Sequence, residues 1–304
     1  MIADVAKARI AVIGAGLMGH GIAQVFALAG HEVTITDTVV KNLDSVQSRI
    51  AANLRDLGDD EGAAARVQPY FDLGEAVSGA DYVVEAVLEN LALKQKLFAD
   101  IERRVRPDTI LASNTSVIPI TSIMQGLERR ERALGTHWWN PPYLVPLVEV
   151  IETQWTSPQA LAFTMELHAA AGKTPAHVKK DVPGFIGNRL QHALWREAIA
   201  LVEHGICDAA TVDSVIKASF GRRLAVLGPL ENADMVGTDL ALAIHDTVLP
   251  AIENRPGPSP YLQDLVAAGK LGFKSGEGFR KWSAEQQAAL RTKVMRHLKA
   301  MRDT

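Results

Sequence analysis

Arg9-Ile-Ala-Val-Ile-Gly14-Ala-Gly16-Leu-Met-Gly19 is the stretch that decides the fold. Arg9–Ile13 is an apolar run of strand length closed by Gly14, and from Leu17 the apolar spacing turns helical through Ile22, Val25, Phe26 and Ala29. Gly30 stands where a helix ends in a left-handed residue. Outward from this unit, Glu32–Thr36 alternates as a second strand ending at Asp37, and Asp81–Val87 reads as a buried strand. Leu91–Val105 is predicted helical, with Leu93, Leu97, Ile101 and Val105 along one face and Pro107 just beyond. Thr109–Ala112 and Arg132–Thr136 are further short strands. Strand and helix in alternation predict an α/β fold with a mostly parallel sheet and helices on both faces.

The texture changes at Asp181-Val-Pro-Gly184, beyond which almost everything reads helical. Ile186, Leu190, Leu194, Ala198 and Leu201 mark one face of a long helix stopped by Gly205, and Asp208 is placed as the N-cap of the next. The tail from Ser283 is amphipathic, with Leu290, Val294, Leu298 and Met301 on one side. Two domains are expected, residues 1–181 and an all-helical 182–304, in keeping with a chain of 304 residues. The composition, 47% hydrophobic and 22% charged, excludes a disordered or fibrous chain. A formal charge of −3 gives no basic excess for nucleic acid. No apolar run reaches the roughly 18 residues of a membrane span. The single cysteine, Cys207, rules out an internal disulfide framework and fits a reducing cytoplasm.

Each glycine of the loop has a task. Gly14 permits the tight turn, Gly16 lets the backbone approach a pyrophosphate, and Gly19 lets the helix pack closely on the strand. The helix N-terminus, opening at Leu17 and Met18, offers free N–H groups to phosphates. Asp37, eighteen residues past Gly19, is where a carboxylate accepts from ribose hydroxyls and repels a 2′-phosphate. Thr38, Val39 and Val40 offer no arginine to such a phosphate, so NAD is expected rather than NADP.

Chemistry is sought in Gly135-Thr-His137-Trp-Trp-Asn140-Pro-Pro-Tyr-Leu-Val-Pro-Leu-Val-Glu149-Val-Ile151. His137 ends a strand, where an α/β sheet holds its ligands, whereas His20, His31, His168 and His177 are read as structural. Glu149 lies in an apolar strand, and a buried carboxylate needs a partner. The residues alone leave that partner open between His137 and a structural arginine. Ser113-Asn-Thr-Ser116 adds hydroxyls and amides on the same sheet edge, although an ordinary turn or cap has the same composition. No metal ligand set is expected.

These residues resemble the 3-hydroxyacyl-CoA dehydrogenase family over essentially the whole chain. The matching motifs are Gly14–Gly19, Val84–Asn90, Ala112–Ser116, His137–Pro141, Pro183–Arg189 and Lys274–Phe279. The resemblance implies a Rossmann-like domain followed by a helical domain that makes a homodimer. It implies His137 as a base, Glu149 as its orienting carboxylate, and Ser116 and Asn188 at the substrate oxygens, with Asn188 pointing across an interdomain cleft. For NAD it implies the glycine loop with Leu17 and Met18, Asp37, Glu89, Lys94, Ser116, Asn140 and Lys274. The substrate so implied is a small hydroxy acid or its CoA thioester, oxidised β to the carboxyl.

One departure bears on the choice between these substrates. Between residues 41 and 72 stand Lys41, Arg49, Arg55 and Arg66 against Asp44, Asp56, Asp59, Asp60, Glu61 and Asp72, a poor receptor for CoA phosphates. Pro146 also stands where CoA users commonly carry lysine. The motif detail is nearer the branch that oxidises free hydroxy acids, the L-gulonate and pyridoxine-catabolic dehydrogenases. Arg189, Arg196, Arg222 and Arg223 are candidates for a substrate carboxylate. A non-catalytic, crystallin-like NAD-binding protein is the alternative of a different class.

Overall fold

In a computed structural model, which describes residues 4–302, an eight-stranded sheet runs in the order β3-β2-β1-β4-β5-β6-β7-β8. The strands are β1 (Ile10–Ile13), β2 (Val33–Thr36), β3 (Val67–Tyr70), β4 (Tyr82–Glu85), β5 (Ile110–Ser113), β6 (Ala133–Trp138), β7 (Leu147–Ile151) and β8 (Thr174–Val178). All neighbours are parallel except β6 and β7, which are antiparallel. The strands are interleaved with α1 (Leu17–Leu28), α2 (Val40–Asp44), α3 (Val46–Leu57), α4 (Leu73–Val77), α5 (Leu91–Glu102), α6 (Ile120–Met124) and α7 (Pro158–Ala170). Then follow α8 (Gly187–Glu203), α9 (Ala209–Ala218), α10 (Pro229–Val236), α11 (Thr238–Val248), α12 (Pro260–Ala267) and α13 (Ala284–Ala300).

The all-apolar reading of β1 has a direct cause. Ile10 and Val12 point into one core cluster with Ile22 and Phe26 of α1, while Ala11 and Ile13 point into a second with Phe98 and Ile101 of α5. A strand buried on both faces needs no polar alternation. Helix signals also hold at their ends: Gly30 has φ +98°, Gly205 has φ +69°, and the Asp208 side chain caps α9 through Thr211 N.

Three readings are corrected. First, β3 and β8 were not foreseen. They are the two edge strands and carry Pro69 and Pro175, which an edge tolerates because one side of its ladder is unpaired. Second, the buried face of α5 is Lys94, Phe98 and Ile101, and Leu93 is exposed. A lysine occupies the core position because a buried carboxylate meets it there, as described below. Third, the apolar stripe of α8 is not buried along its length: Ile186, Leu190 and Leu194 are exposed, while Ala198 and Leu201 are half-buried.

The chain divides into two compact units. One holds the described residues up to Arg189 together with the end of the chain from His297, and the other is Leu190–Arg296. The division falls inside α8. In the second unit, Ala200 and Leu265 are the only buried residues among those described. No described helix is long and apolar enough to cross a membrane.

Phe26 is the hub of the first unit's core, with the rings of His31, Tyr82, Trp138 and His168 all between 5.7 and 6.0 Å from its centroid. Phe26→Ala is expected to lower stability by about 3–5 kcal/mol in denaturant titration, because rings fixed on β4, β6 and α7 cannot collapse into the void.

Candidate active site

The carboxyl ends of β1, β2, β4, β5 and β6 share one edge of the sheet and deliver Gly14, Asp37, Glu85, Ser113 and His137 there. The glycine loop follows β1. Gly14 has φ +101°, and a Cβ on it would meet Ala86 O at 2.6 Å. A Cβ on Gly19 would lie 1.7 Å from Gly14 O, so only glycine lets α1 start this close to β1. At Gly16 a Cβ would meet nothing within 4 Å, which leaves open space over the loop for a nucleotide. Leu17 is exposed and Met18 half-buried.

Asp37 secures the loop. Its Oδ2 accepts from Ala15 N at 2.7 Å and from Asn42 Nδ2 at 3.0 Å, and its Oδ1 accepts from Val39 N at 2.8 Å. A carboxylate has about four acceptor positions, so one remains for a ribose hydroxyl. Arg49, which sequence reasoning passed over, donates to Ala15 O at 2.7 Å and to Asn42 O at 2.9 Å and braces the loop from α3. The residues present therefore fit a dinucleotide.

Glu85 and Lys94 form a buried pair. Lys94 Nζ lies 2.6 Å from Glu85 Oε1, with side-chain exposures of 1% and 0%. Ser113 Oγ donates to the other Glu85 oxygen at 2.6 Å, and Val87 N donates to Oε1. Lys94 also lies 3.4 Å from the more exposed Glu89. Glu89 Oε1 accepts from Thr115 Oγ1, Ser116 N and Val117 N. Burial pushes the Glu89 carboxyl up, but the Thr115 bond, the Lys94 charge and the two amides outweigh it and leave its pKa lowered. Lys94 is thus enclosed under two glutamates, and Glu89 is the member of the group that reaches the surface. The apolar setting of Glu85 in Tyr82-Val-Val-Glu85 was the available signal for this pair, of the same kind as that for Glu149.

His137 and Glu149 stand directly opposite each other in the antiparallel register of β6 and β7. His137 Nδ1 lies 2.7 Å from Glu149 Oε2, and both side chains are buried. The other carboxylate oxygen accepts from Ile186 N at 2.8 Å and Gly187 N at 3.0 Å. Desolvation pushes the Glu149 carboxyl up, yet the His137 bond and the two amides prevail and hold it below its ordinary range. An ionised carboxylate on Nδ1 places the ring proton there, so Nε2 carries a lone pair. Nε2 makes no hydrogen bond to protein among the described residues. Trp139 and Phe185 wall the imidazole, with ring centroids at 5.4 and 5.6 Å.

The amides that grip Glu149 come from a strained turn. Gly184 has φ +74° and Phe185 φ +50°, a conformation unusual for a side-chain-bearing residue. Asp181 anchors the start of the same segment by accepting from Ile120 N and Thr121 N at the head of α6. Asn188 Nδ2 donates to Ser116 O at 2.9 Å, so these two predicted substrate contacts are neighbours. Asn140, exposed, opens the loop after β6 through a cis bond to Pro141. Asn114 Oδ1 accepts from Trp138 N and ties β5 to β6. Lys274 lies in the second unit, on an apolar cavity of about 760 Å³ walled by Trp195, Ile199, Val212, Phe279 and Trp282. His20, His168 and His177 have local partners in Gly16 O, Thr164 O and Glu152, and His31 meets Ala8 O.

A nucleotide cradle beside a carboxylate-steered imidazole is the apparatus of a nicotinamide-dependent dehydrogenase, and comparison with known proteins agrees. The NAD binding domain of 3-hydroxyacyl-CoA dehydrogenase matches residues 9–182, and the C-terminal domain of 3-hydroxyacyl-CoA dehydrogenase matches residues 184–282. The chain belongs to this family and is an NAD-dependent oxidoreductase acting on CH–OH groups. It is 37% identical over 299 residues to 5-formyl-3-hydroxy-2-methylpyridine 4-carboxylate 5-dehydrogenase of Mesorhizobium japonicum, covering 97% of each chain. It is 38% identical to human mitochondrial hydroxyacyl-coenzyme A dehydrogenase, covering 90% of this chain and 91% of that one. Among solved structures, a 5-formyl-3-hydroxy-2-methylpyridine 4-carboxylic acid 5-dehydrogenase, described as an NAD+-dependent dismutase, superposes with a TM-score of 0.91 at 37% identity, covering 97% of both chains. (S)-3-hydroxybutyryl-CoA dehydrogenase from Ralstonia eutropha gives 0.76 at 33% identity, covering 91% of this chain and 99% of that one.

Because the fold holds Glu149 below its ordinary value of 4.5, its contribution to stability is complete above that pH and is lost as pH falls through the lower folded value. Glu149→Gln is expected to cost about 1.5–3 kcal/mol at pH 7. Denaturant titrations at successively lower pH are expected to show the gap from wild type closing below pH 4.5.

Proposed function

We propose that this chain oxidises the hydroxyl β to the carboxyl of a small free hydroxy acid to a ketone. The observation that carries the reading is the His137–Glu149 hydrogen bond, which leaves Nε2 as an unengaged acceptor in an otherwise apolar setting. Bound NAD supplies the hydride acceptor. His137 Nε2 takes the hydroxyl proton as the carbon surrenders its hydride. Glu149 keeps the proton on Nδ1 and stabilises the imidazolium that forms. Ser116 and Asn188, joined through the Ser116 carbonyl, orient the substrate oxygens. Gly14, Gly16, Gly19, Leu17 and Met18 receive the pyrophosphate and Asp37 the ribose. Glu89, Asn140 and Lys274 complete the cofactor contacts, with Lys94 behind Glu89.

A free acid is favoured over a CoA thioester because the cations of the 41–72 segment are largely committed. Arg55 is paired with Glu61, Arg49 is anchored through one nitrogen to Ala15 O and Asn42 O, and Arg66 is held at one nitrogen by Ala27 O. The similarity to a pyridine-carboxylate dehydrogenase over 97% of both chains points the same way. In this reading residues 1–181 hold NAD, residues 182–304 complete the substrate site, and the enzyme works in the cytoplasm.

The test is NAD reduction with a panel of free hydroxy acids and 3-hydroxybutyryl-CoA, repeated with NADP. Free acids are expected to turn over with NAD, and NADP to be used at least about tenfold less efficiently, a difference near 1.4 kcal/mol. Preference for the thioester would select the acyl-CoA reading, and NAD binding without turnover of any substrate would select the structural one. His137→Gln is expected to lose about 100- to 10,000-fold in kcat while still binding NAD. Full turnover by that variant removes His137 from the chemistry.

We also propose a homodimer through the helical unit. Residues 190–296 bury little of their own apolar surface: Leu230, Met235, Leu240, Leu242 and Ile244 of α10 and α11 are exposed, as are Leu190 and Leu194 of the α8 stripe. So much apolar surface on one unit calls for a partner face. Analytical ultracentrifugation at micromolar concentration is expected to show dimer, and a purely monomeric species would refute it.

A further inference from the structure

Three prolines, at 141, 142 and 146, stand in the loop that joins β6 to β7, so the loop is short of the N–H donors that would hold its own carbonyls. Its internal backbone bonds run from Leu144 N and Val145 N to a single acceptor, Pro141 O. The carbonyls of Pro142 and Val145 are taken instead by Lys173, which lies between α7 and β8. Lys173 Nζ donates to both, the Val145 bond being 2.8 Å, and rests over the Trp138 ring at 5.4 Å from its centroid. No carboxylate lies within ion-pair distance of it among the described residues, and burial alone lowers its pKa to about 8. The neighbouring His168 imidazole, lowered to about 4 chiefly by burial, stays neutral and adds no second positive charge.

What this loop carries is chemically important. Its second residue is Asn140, two positions after Trp138, the end of the strand that bears His137. On the other side Pro142 and Tyr143 press against Gly21 of α1, where an added Cβ would lie 3.0 Å from Pro142 Cδ. The loop therefore spans from the helix of the glycine loop to the strand of the base. Thr174 N, next to Lys173, donates to Pro146 O and closes the far end.

We infer that Lys173 is a positioning residue of the oxidation: by clamping the carbonyls of Pro142 and Val145 it fixes Asn140 relative to His137. The inference rests on the dehydrogenase reading above. A half-buried ammonium held by two carbonyls and a ring face, with no carboxylate beside it, is a costly way to fill space, whereas a leucine or methionine would fill it without desolvating a charge. The cost is understandable where a donor-poor loop must be held to within a fraction of an ångström, since a misplacement of about 1 Å can cost roughly 100-fold in rate.

The experiment measures kcat and KM for the preferred hydroxy acid together with the dissociation constant of NAD, in wild type, Lys173→Met and Lys173→Arg. Lys173→Met is expected to lose about 10- to 100-fold in kcat and, because Asn140 is itself a proposed cofactor contact, to raise the NAD dissociation constant about three- to tenfold, ~0.7–1.4 kcal/mol. Lys173→Arg, whose guanidinium can still donate to two carbonyls, is expected to recover most of the loss. Should Lys173→Met fail to fold, Lys173→Gln carries the same expectation, because it keeps a polar end that falls short of both carbonyls. Wild-type kcat in the folded Met or Gln variant overturns the inference, as does an Arg variant no better than Met. A wild-type enzyme inert toward every substrate of the panel defeats the dehydrogenase reading instead, and the two failures are told apart by that control.

Discussion

A carboxylate in the protein interior, gripped by three donors, is the constraint around which the first unit is arranged. Glu149 belongs to a strand whose neighbours are all apolar, and an unpaired charge there would cost several kcal/mol. The fold offsets that cost twice over. The antiparallel return of β7 sets Glu149 opposite His137, and the turn at Gly184-Phe185 aims two amides at the remaining oxygen. Had β7 run parallel like its neighbours, a long crossover would have separated the two residues. The strain accepted at Phe185 has a visible return, since that turn supplies the donors and the same ring walls the imidazole.

The same solution appears a second time on the sheet. Glu85 ends β4 as Glu149 sits in β7, both among apolar neighbours, and each is satisfied by one cationic or imidazole partner together with hydroxyl or amide donors. The two sites differ in what they leave over. Around Glu85 every polar end is consumed internally except through Glu89, so the group behaves as a rigid floor. Around Glu149 the consumption stops at Nδ1, and the second ring nitrogen is left without a protein partner among the described residues.

How much of this could be read in advance follows from how local each signal is. The glycine loop, Asp37 and the buried strands announce themselves within a few residues, because turn chemistry and two-sided burial are local demands. From the residues alone the His137–Glu149 pair was legible as a buried carboxylate in need of some partner, since strand register is not written in spacing, and it was the family resemblance that named His137. Beyond that the signals fail for identifiable reasons. The edge strands β3 and β8 contain prolines and little alternation. Lys94 looks like a surface residue until Glu85 is seen beneath it, and its presence moves the core face of α5 away from the leucine stripe. The face of α8 was legible as apolar, but what covers it was not, because periodicity reports that a face wants a partner and not which chain supplies it.

Substrate choice within one scaffold is governed less by the number of charges than by which of them are free. The segment after Asp37 holds several arginines, and by composition alone it admits an anionic ligand weakly at best. The structure adds that Arg49 serves the glycine loop, Arg66 the end of α1, and Arg55 its neighbour Glu61. Asp56 and Asp59, which further disfavour a phosphate, are themselves answered by Lys299 and Arg302 from the end of the chain. A guanidinium already paired with a carboxylate, as Arg55 is with Glu61, must give up that bond to receive a phosphate, so the exchange yields little net affinity. Arg49 and Arg66 donate to carbonyls of the glycine loop and of α1, so these arginines serve the architecture around the nucleotide cradle.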